Sequence, residues 1–365
     1  MIPMNAFQRE PEALHAEEMR AVHAVLESGW FILGKRVQIF ESEWSSRIGA
    51  KHTIGVGNGM DAIEIGLRCL DIGPGDEVIT TPMTAFATVL AILRAGATPV
   101  LADIDPDTAL LDRQSVERCI SPKTRAVLLV HLYGQVREMN DWRKLASQER
   151  IHLLEDCAQS HLAMHDGACS GSIGTWGAFS FYPTKNLGAI GDAGALSTSD
   201  EEVAARARVL RNYGQSERYQ HPVLGLNSRL DELQAALLLV RLQKLDEFTR
   251  RRRQIADAYR TRLQNPKIRL LAEPESRDSH VHHLFVICCQ ERDRLAGHMK
   301  ARGVETLIHY PIPVHLQAPC RDLRRDPAGL LEAERHAAAC LSIPCHPFLH
   351  ESEIETVIEA LNEFK

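Results

Sequence analysis

Short apolar segments that alternate with helical patterns constrain the fold of this chain more than any other feature. Residues Arg125–Leu132 (RAVLLVHL) form a strongly apolar run, and Thr98–Ala102 and His152–Leu154 are shorter segments of the same kind. The spacing of apolar residues predicts helices near 112–120 and 139–148, between these segments. Because apolar strands separated by helices are typical of parallel sheets covered on both faces, the sequence predicts an α/β fold.

The pattern changes after Asn265, which indicates a second, smaller domain of α+β character. The elements predicted there are a strand at His282–Cys289 and helices at Arg292–Arg302 and Glu351–Phe364. One long helix is expected from about Leu230 to Leu263, linking the two parts of the chain. We therefore expect a large domain at 1–245, which includes an N-terminal helical segment, and a small domain at 246–365.

Composition and charge argue against several classes of protein. The 365 residues carry a formal net charge of −6, which gives no electrostatic reason to expect a nucleic-acid or membrane partner. No apolar run approaches the roughly 18 residues of a membrane-spanning helix, and the N-terminal residues lack a signal-peptide pattern. The nine cysteines include no C-x-x-C pair, so we expect reduced thiols, a cytoplasmic protein and no metal site. The basic run Arg250–Arg253 is interpreted as a solvated helix face.

Two side chains in the stretch from His152 to Leu196 suggest chemistry. The apolar strand His152–Leu154 ends in two carboxylates, Glu155 and Asp156, and Lys185 follows in a Gly-rich segment. From 167 to 195 the only charged residues are Lys185 and Asp192, so we expect the lysine to be poorly hydrated, which lowers its pKa. Alone, such an acid is more often a helix cap, and such a lysine a surface charge. Together they match the needs of pyridoxal phosphate: a lysine for the Schiff base and a carboxylate for the ring nitrogen.

A glycine-rich turn is a second candidate for binding. Gly57-Asn58-Gly59 lies between a predicted strand at His52–Val56 and a predicted helix at Met60–Leu70. A turn of this kind presents free backbone N–H groups at the start of a helix, which suits a phosphate. A dinucleotide site is less favoured because Met60 interrupts the G-x-G-x-x-G spacing.

These residues carry a resemblance to a known family. The segment Glu155-Asp156-Cys157-Ala158-Gln159-Ser160 and the segment Ser180-Phe181-Tyr182-Pro183-Thr184-Lys185-Asn186-Leu187-Gly188 resemble the DegT/DnrJ/EryC1/StrS sugar-nucleotide aminotransferases. Residues 225–236 (GLNSRLDELQAA) match the same family, and the resemblance extends from about Trp30 to Phe364. It implies a fold-type I pyridoxal-phosphate enzyme, with a large domain around a mostly parallel sheet and a smaller α+β C-terminal domain.

The resemblance also implies roles for particular residues. Lys185 would bind the cofactor and act as the catalytic base, and Asp156 would pair with the ring nitrogen. The other cofactor-binding residues implied are Gly59 and Met60 at the phosphate, Phe86 stacked on the ring, Gln159, Ser180 and, from a neighbouring subunit, Asn227. Tyr310 and His315 are implied to lie near the substrate. A homodimer with a shared active site is therefore expected.

The implied reaction moves an amino group from an amino acid, L-glutamate, to a keto-sugar of a nucleoside diphosphate, for amino-sugar biosynthesis. The segment Asn58–Ala62 (NGMDA) resembles members that aminate C3, which favours a 3-keto-deoxysugar. Three alternatives stay open. A sugar dehydratase of this fold carries histidine where this chain has Lys185, a binding or regulatory protein would have lost the site residues, and a nicotinamide dehydrogenase would use Gly55–Gly59.

Overall fold

The computed structural model describes residues 1–365 and is built around a seven-stranded sheet. The strands are β1 (His52–Val56), β2 (Glu77–Thr80), β3 (Thr98–Leu101), β4 (Thr124–Val130), β5 (His152–Asp156), β6 (Met164–His165), β7 (Ala168–Cys169), β8 (Trp176–Ser180), β9 (Gly194–Thr198), β10 (Arg269–Leu270), β11 (Phe285–Cys288) and β12 (Cys340–Ile343). The order in the large sheet is β1-β9-β8-β5-β4-β2-β3. The pairings from β3 to β8 are parallel, and β9 pairs antiparallel with both β8 and β1.

Helices cover this sheet and form most of the remaining structure. They are α1 (Glu12–Ser28), α2 (Lys35–Ile48), α3 (Gly59–Cys69), α4 (Phe86–Arg94), α5 (Arg113–Cys119), α6 (Met139–Glu149), α7 (Glu201–Leu210), α8 (Glu232–Leu242), α9 (Leu245–Arg262), α10 (Arg292–Ala301), α11 (Leu331–Ala339) and α12 (Glu351–Glu363). The predicted α/β architecture with a mostly parallel sheet is therefore confirmed. None of these helices is long and apolar enough to cross a membrane.

The apolar strands are buried because helices pack on both of their faces. On one side, α3 and α7 share a core with β1, β5, β8 and β9, with Ile54, Leu154 and Trp176 at its centre. On the other side of the sheet, Val127 and Leu153 pack with Trp142 of α6. This burial of near-continuous apolar strands is the physical reason that the alternating sequence pattern gives a covered parallel sheet.

A second core surrounds the antiparallel sheet β10-β11-β12 in the C-terminal part of the chain. Helices α9, α10 and α12 supply half of its buried side chains, and Ile2 joins them from the N-terminus. The predicted strand at 282–289 is shorter than expected, because His282 has a left-handed backbone (φ 45°) and β11 begins only at Phe285.

The long helix predicted from Leu230 to Leu263 is wrong. The chain forms two helices, α8 and α9, which are separated by Gln243 and Lys244. Leu242 and Leu245 are buried on either side of this break. No proline or glycine marks the break, so there is no local signal for it in the sequence.

The interpretation of Arg250–Arg253 as a solvated helix face is also wrong. Arg252 is only 6% exposed, and its Nη1 donates to the carbonyls of His282 and His283 at 3.3 Å and of Cys345 at 2.6 Å. Arg253 Nε donates to the carbonyl of His280 at 3.0 Å. The arginines therefore pair the backbone carbonyls of irregular segments that border the small sheet, groups that would otherwise be buried without donors.

Candidate active site

Asp156 lies at the carboxyl end of β5, where its carboxylate is buried and only partly paired. Thr88 Oγ1 donates to Oδ2 at 2.8 Å, and the Ala158 N–H donates to Oδ1 at 3.1 Å. Burial raises the pKa of Asp156, while these hydrogen bonds and the longer-range charge of Lys185 oppose that rise. The carboxylate thus lacks the close cation that a buried charge requires, and a cationic ligand would supply it.

Glu155, the neighbouring acid, has a structural environment. It accepts hydrogen bonds from the N–H groups of Gly171, Ile173 and Gly174 and contacts His131 Nε2 at 2.9 Å. These partners leave it little capacity to bind anything else. His131 is buried, and its contact with Glu155 makes it a paired structural histidine. The two adjacent acids are thereby distinguished: only Asp156 is available to a ligand.

Lys185 lies in the loop that follows β8, and its side chain is half-buried. Burial lowers the pKa of this lysine to about 8, and the charge of Asp156 partly opposes the shift. The loop is held directly after the lysine: Asn186 Nδ2 donates to the carbonyl of Val281 at 3.0 Å, and the Leu187 N–H donates to His161 Nδ1 at 3.1 Å. A fixed amine that loses its proton readily is suited to nucleophilic and base chemistry.

The predicted phosphate-binding groups come together in the structure. Gly59 is the first residue of α3, and Asn58 caps this helix by accepting from the Asp61 N–H at 2.8 Å. A Cβ atom at Gly59 would lie only 2.7 Å from Cβ of Ser180, so a glycine is needed for this close approach. A helix N-terminus and a serine hydroxyl therefore face the same region, which suits a phosphate. Met60 follows in α3, is half-buried and packs against the core.

Four other predicted residues lie around Asp156 or in the C-terminal part of the chain. Phe86 begins α4 and is 37% exposed, two residues before the Thr88 that contacts Asp156. Gln159 Nε2 donates to the Tyr310 hydroxyl at 3.2 Å, so these two predicted residues are in contact. His315 is buried and its Nε2 lies 3.0 Å from Glu334.

Asn227 is exposed and lies near the glycine turn, because the next residue, Ser228, contacts that turn. Ser228 Oγ accepts a hydrogen bond from the Gly57 N–H at 3.0 Å. The Asn227 backbone pairs with Asn212. Its exposed side chain is free to contact another molecule.

Two residues at the site were not identified from the sequence. Thr88 bonds to Asp156, and the Tyr133 N–H donates to Gln159 Oε1 at 2.6 Å. Both follow strand ends at the same edge of the sheet, which is the only signal that could have indicated them.

The donor set fits pyridoxal phosphate. The buried carboxylate of Asp156 would face a protonated ring nitrogen, the amine of Lys185 has a lowered pKa, and the Gly59–Ser180 contact leaves backbone N–H groups for a phosphate. In the protein alone, the carboxylate of Asp156 has two hydrogen-bond donors but no close cation. The structure therefore has the groups that hold the two ends of this cofactor.

Comparison with known proteins identifies the family. The profile of the DegT/DnrJ/EryC1/StrS aminotransferase family matches residues 12–362. The chain is 43% identical over 365 residues to the dTDP-3-amino-3,4,6-trideoxy-alpha-D-glucose transaminase of Streptomyces venezuelae, covering 100% of this chain and 96% of that protein. It is also 43% identical over 365 residues to a pleiotropic regulatory protein of Geobacillus stearothermophilus, covering 100% of this chain and 98% of that protein.

Solved structures agree with this result. The crystal structure of DesV from S. venezuelae has a TM-score of 0.95 and 42% identity, covering 99% of this chain and 98% of that one. A Bacillus subtilis protein, ntda, solved with bound cofactor PMP, has a TM-score of 0.90 and 31% identity, covering 99% of this chain and 84% of that one. The predicted fold and the predicted enzyme class are confirmed. The chain belongs to the DegT/DnrJ/EryC1/StrS aminotransferase family.

Proposed function

We propose that this protein is a pyridoxal-phosphate-dependent aminotransferase that transfers an amino group from L-glutamate to a keto-sugar linked to a nucleoside diphosphate. One observation carries the proposal: a lysine whose pKa is lowered to about 8 lies within the electrostatic range of a buried carboxylate that has no ion-pair partner. When bound, pyridoxal phosphate withdraws electrons from the substrate carbon that loses or gains a proton. The protein supplies binding, orientation and proton transfer.

Asp156 would hold the ring nitrogen in its protonated form. Burial raises the pKa of this carboxyl, so the ionised form is costly until a cation approaches. A protonated nitrogen would provide that cation, and the pair would stabilise both charges in a water-poor setting. Thr88 keeps the carboxylate oriented by its bond to Oδ2, and Thr84 lies 2.7 Å from the Thr88 hydroxyl.

Lys185 would hold the cofactor covalently and, once released by the amino donor, carry a proton at Nζ. Because its pKa is near 8, about a tenth of the amine is neutral at pH 7, far more than at its usual pKa, and this form can accept a proton from the substrate carbon. The amine must then return the proton to the adjacent position, which requires a fixed loop. The contacts of Asn186 and Leu187 provide that rigidity.

The roles proposed for the other predicted residues follow from their places. Gly59, Met60 and Ser180 would surround the phosphate at the start of α3, and Phe86 would lie on one face of the ring. Gln159 would contact the cofactor, and Tyr310 and His315 would line the substrate side. Asn227 would reach the phosphate of a second copy of this chain, and its exposure supports that role. We therefore propose a homodimer with shared active sites.

The proposed substrate class draws on the names of the relatives. The S. venezuelae relative is named for a 3-amino sugar of dTDP, and the segment Asn58–Ala62 also favours amination at C3.

We also propose the division of the chain into domains 1–245 and 246–365. This division agrees with the start of α9 at Leu245, although Ile2 packs in the second core. The nine free cysteines, all buried, support a cytoplasmic location.

A regulatory role is the second candidate, because a relative with 43% identity is named a pleiotropic regulatory protein. Such a role could coexist with the chemistry or replace it. The complete set of Lys185, Asp156, Gln159 and Ser180 favours catalysis, since a protein without chemistry would have no need of a lysine with a lowered pKa.

The proposal is tested by an absorption spectrum of the purified protein with pyridoxal phosphate, beside that of Lys185→Ala. We expect the wild type to show the visible band of a lysine-linked cofactor and to lose it when L-glutamate is added. Lys185→Ala should show no such lysine-linked band. A wild-type protein with no band after addition of the cofactor would refute the proposed chemistry and favour the regulatory role.

A further inference from the structure

We propose that Tyr133 is a positioning residue for this reaction: it joins Gln159, in the turn after β5, and Tyr310 of the C-terminal region into one hydrogen-bonded unit beside Asp156. The inference rests on the proposed function and extends it to a residue that contacts neither the lysine nor the acid directly. It is carried by the backbone of Tyr133, by its hydroxyl and by the contact between Gln159 and Tyr310.

The backbone of Tyr133 has an uncommon conformation. It lies just after β4 with φ 63° and is 1% exposed. Non-glycine residues adopt this left-handed conformation rarely, and it persists where the surroundings fix it. Here the Tyr133 N–H donates to Gln159 Oε1 at 2.6 Å, and the Tyr133 carbonyl accepts from the Leu284 N–H at 3.3 Å.

Gly134, the next residue, is confined in the same way. A Cβ atom at Gly134 would lie 2.8 Å from the Gln159 carbonyl oxygen and 3.0 Å from the His283 nitrogen. The segment Tyr133–Gly134 is therefore held between Gln159 and the chain that leads into β11.

The hydroxyl of Tyr133 reaches a different part of the chain. It donates to the carbonyl of His309 at 2.6 Å and lies 2.9 Å from His336 Nε2. Because the hydroxyl proton is used on the carbonyl, His336 must carry its proton on Nε2 and donate to the phenol oxygen. Its Nδ1 is then free to accept from the Cys288 thiol, which lies 3.8 Å away. Burial lowers the pKa of His336 to about 4, which agrees with a neutral ring.

Gln159 and Tyr310 complete a closed set of contacts. Gln159 uses Oε1 on Tyr133 and Nε2 on the Tyr310 hydroxyl, and Tyr310 directly follows the His309 carbonyl that Tyr133 holds. The Tyr310 hydroxyl is close enough to Asp156 that, after burial, the carboxylate is the next contribution that raises the pKa of Tyr310 to about 12. If Tyr133 lost its hydroxyl, the 309–310 segment would lose its anchor and the position of Gln159 would be less defined.

A packing role alone is the competing explanation, since Tyr133 is part of a buried apolar cluster. The variant Tyr133→Phe separates the two roles, because it keeps the ring and the backbone N–H and removes only the hydroxyl. Tyr259→Phe is a matched control: the Tyr259 hydroxyl is also buried and donates to a carbonyl, that of Pro344, at 2.7 Å, away from the proposed site.

The first readout is hydrogen–deuterium exchange in cofactor-free protein, which does not depend on activity. We expect Tyr133→Phe to raise deuterium uptake in peptides that contain Tyr310 and Gln159, and Tyr259→Phe to leave those peptides unchanged. The second readout is the half-reaction of the pyridoxal-phosphate-loaded protein with L-glutamate. Loss of one buried hydrogen bond predicts a rate about tenfold lower for Tyr133→Phe and within about twofold of wild type for Tyr259→Phe.

The inference is overturned if the two variants behave alike in both readouts while the wild type reacts normally. A wild type that takes up no pyridoxal phosphate would instead overturn the proposed function itself, so the two failures are distinguishable. If Tyr133→Phe does not fold, His336 provides a second pair. His336→Gln keeps an N–H donor for the Tyr133 oxygen and should retain the rate, whereas His336→Leu should raise uptake in the Tyr310 peptide; equal behaviour of these two variants would also contradict the inference.

Discussion

Thr88 Oγ1 donates a hydrogen bond to Oδ2 of Asp156 at 2.8 Å, which fixes the first turn of α4 against the end of β5. The same turn begins with Phe86, so one contact sets both the orientation of the acid and the place of the aromatic ring proposed to cover the cofactor. The arrangement joins residues 68 positions apart in the sequence. Four predictions follow from the environments of the site residues and of the basic run in α9.

Replacing Thr88 with valine should weaken cofactor binding. Valine has nearly the same shape but no hydroxyl, so Asp156 would lose one of its two hydrogen bonds and its pKa would rise further. At about 1.5–3 kcal/mol for a bond to a charged group, the dissociation constant for pyridoxal phosphate should increase at least about tenfold. A titration monitored by absorbance measures it. Thr88→Ser, which keeps the hydroxyl, should bind nearly as the wild type does, and equal loss in both variants would contradict this role.

The two adjacent acids should respond differently to neutralisation. Glu155→Gln removes a fully buried charge that accepts three backbone N–H groups and contacts His131, so we expect a loss of about 3 kcal/mol in the free energy of unfolding. Asp156→Asn should keep the fold and lose the aminotransferase reaction. Chemical denaturation and the half-reaction with L-glutamate measure the two effects. Similar stability losses in both variants would show that the acids do not have separate roles.

Lys185 should make the cofactor-free protein less stable at neutral pH than a variant with an apolar side chain. Its folded pKa is lowered from 10.5 to about 8, so the unfolded state binds the proton more tightly and folding carries a penalty below pH 8. The penalty decreases as the pH rises from about 8 to 10.5, where the amine is neutral in both states. Lys185→Met should therefore stabilise by on the order of 2 kcal/mol at pH 7, after allowance for partial exposure, and by little near pH 10.5. Unfolding curves for both proteins across this range provide the test. A difference that does not change with pH would mean that the lysine is fully solvated.

The basic run in α9 should contain one essential arginine and one dispensable one. Arg252 is buried and donates to three backbone carbonyls, whereas Arg250 is exposed. Arg252→Met should lower the free energy of unfolding by about 2–4 kcal/mol because those carbonyls lose their donor. Arg250→Met should change it by less than about 0.5 kcal/mol. Denaturant titration measures both values, and equal small effects would restore the interpretation of a solvated helix face.

The sequence predicted the features that depend on local pattern. The bounds of β1 agree to the residue, and Asp156 and Lys185 stand out because a strand end and an uncharged window are visible in the sequence itself. The break between α8 and α9 could not be predicted, since neither Gln243 nor Lys244 disfavours a helix. Leu242 and Leu245, on either side of the break, pack in one buried cluster, so tertiary packing and not local pattern decides where α8 ends.

Tertiary contacts explain what was missed at the site and around it. Tyr133 has a φ of 63°, and its backbone N–H contacts Gln159, which lies 26 residues further along the chain. Arg252 bonds to carbonyls near residues 282 and 345, which come together only when the small sheet forms. A pattern of charges along a helix does not show which carbonyls lack donors in the folded chain, so the sequence alone does not distinguish the buried arginine from a surface one.

The central claim, that Lys185 holds pyridoxal phosphate opposite Asp156, is tested most directly by borohydride reduction of the loaded protein followed by peptide mass spectrometry. Reduction should attach the cofactor permanently to the peptide that contains Lys185, with one cofactor per chain, and Asp156→Asn should weaken the loading. Cofactor attached to another lysine, or to none, would contradict the account.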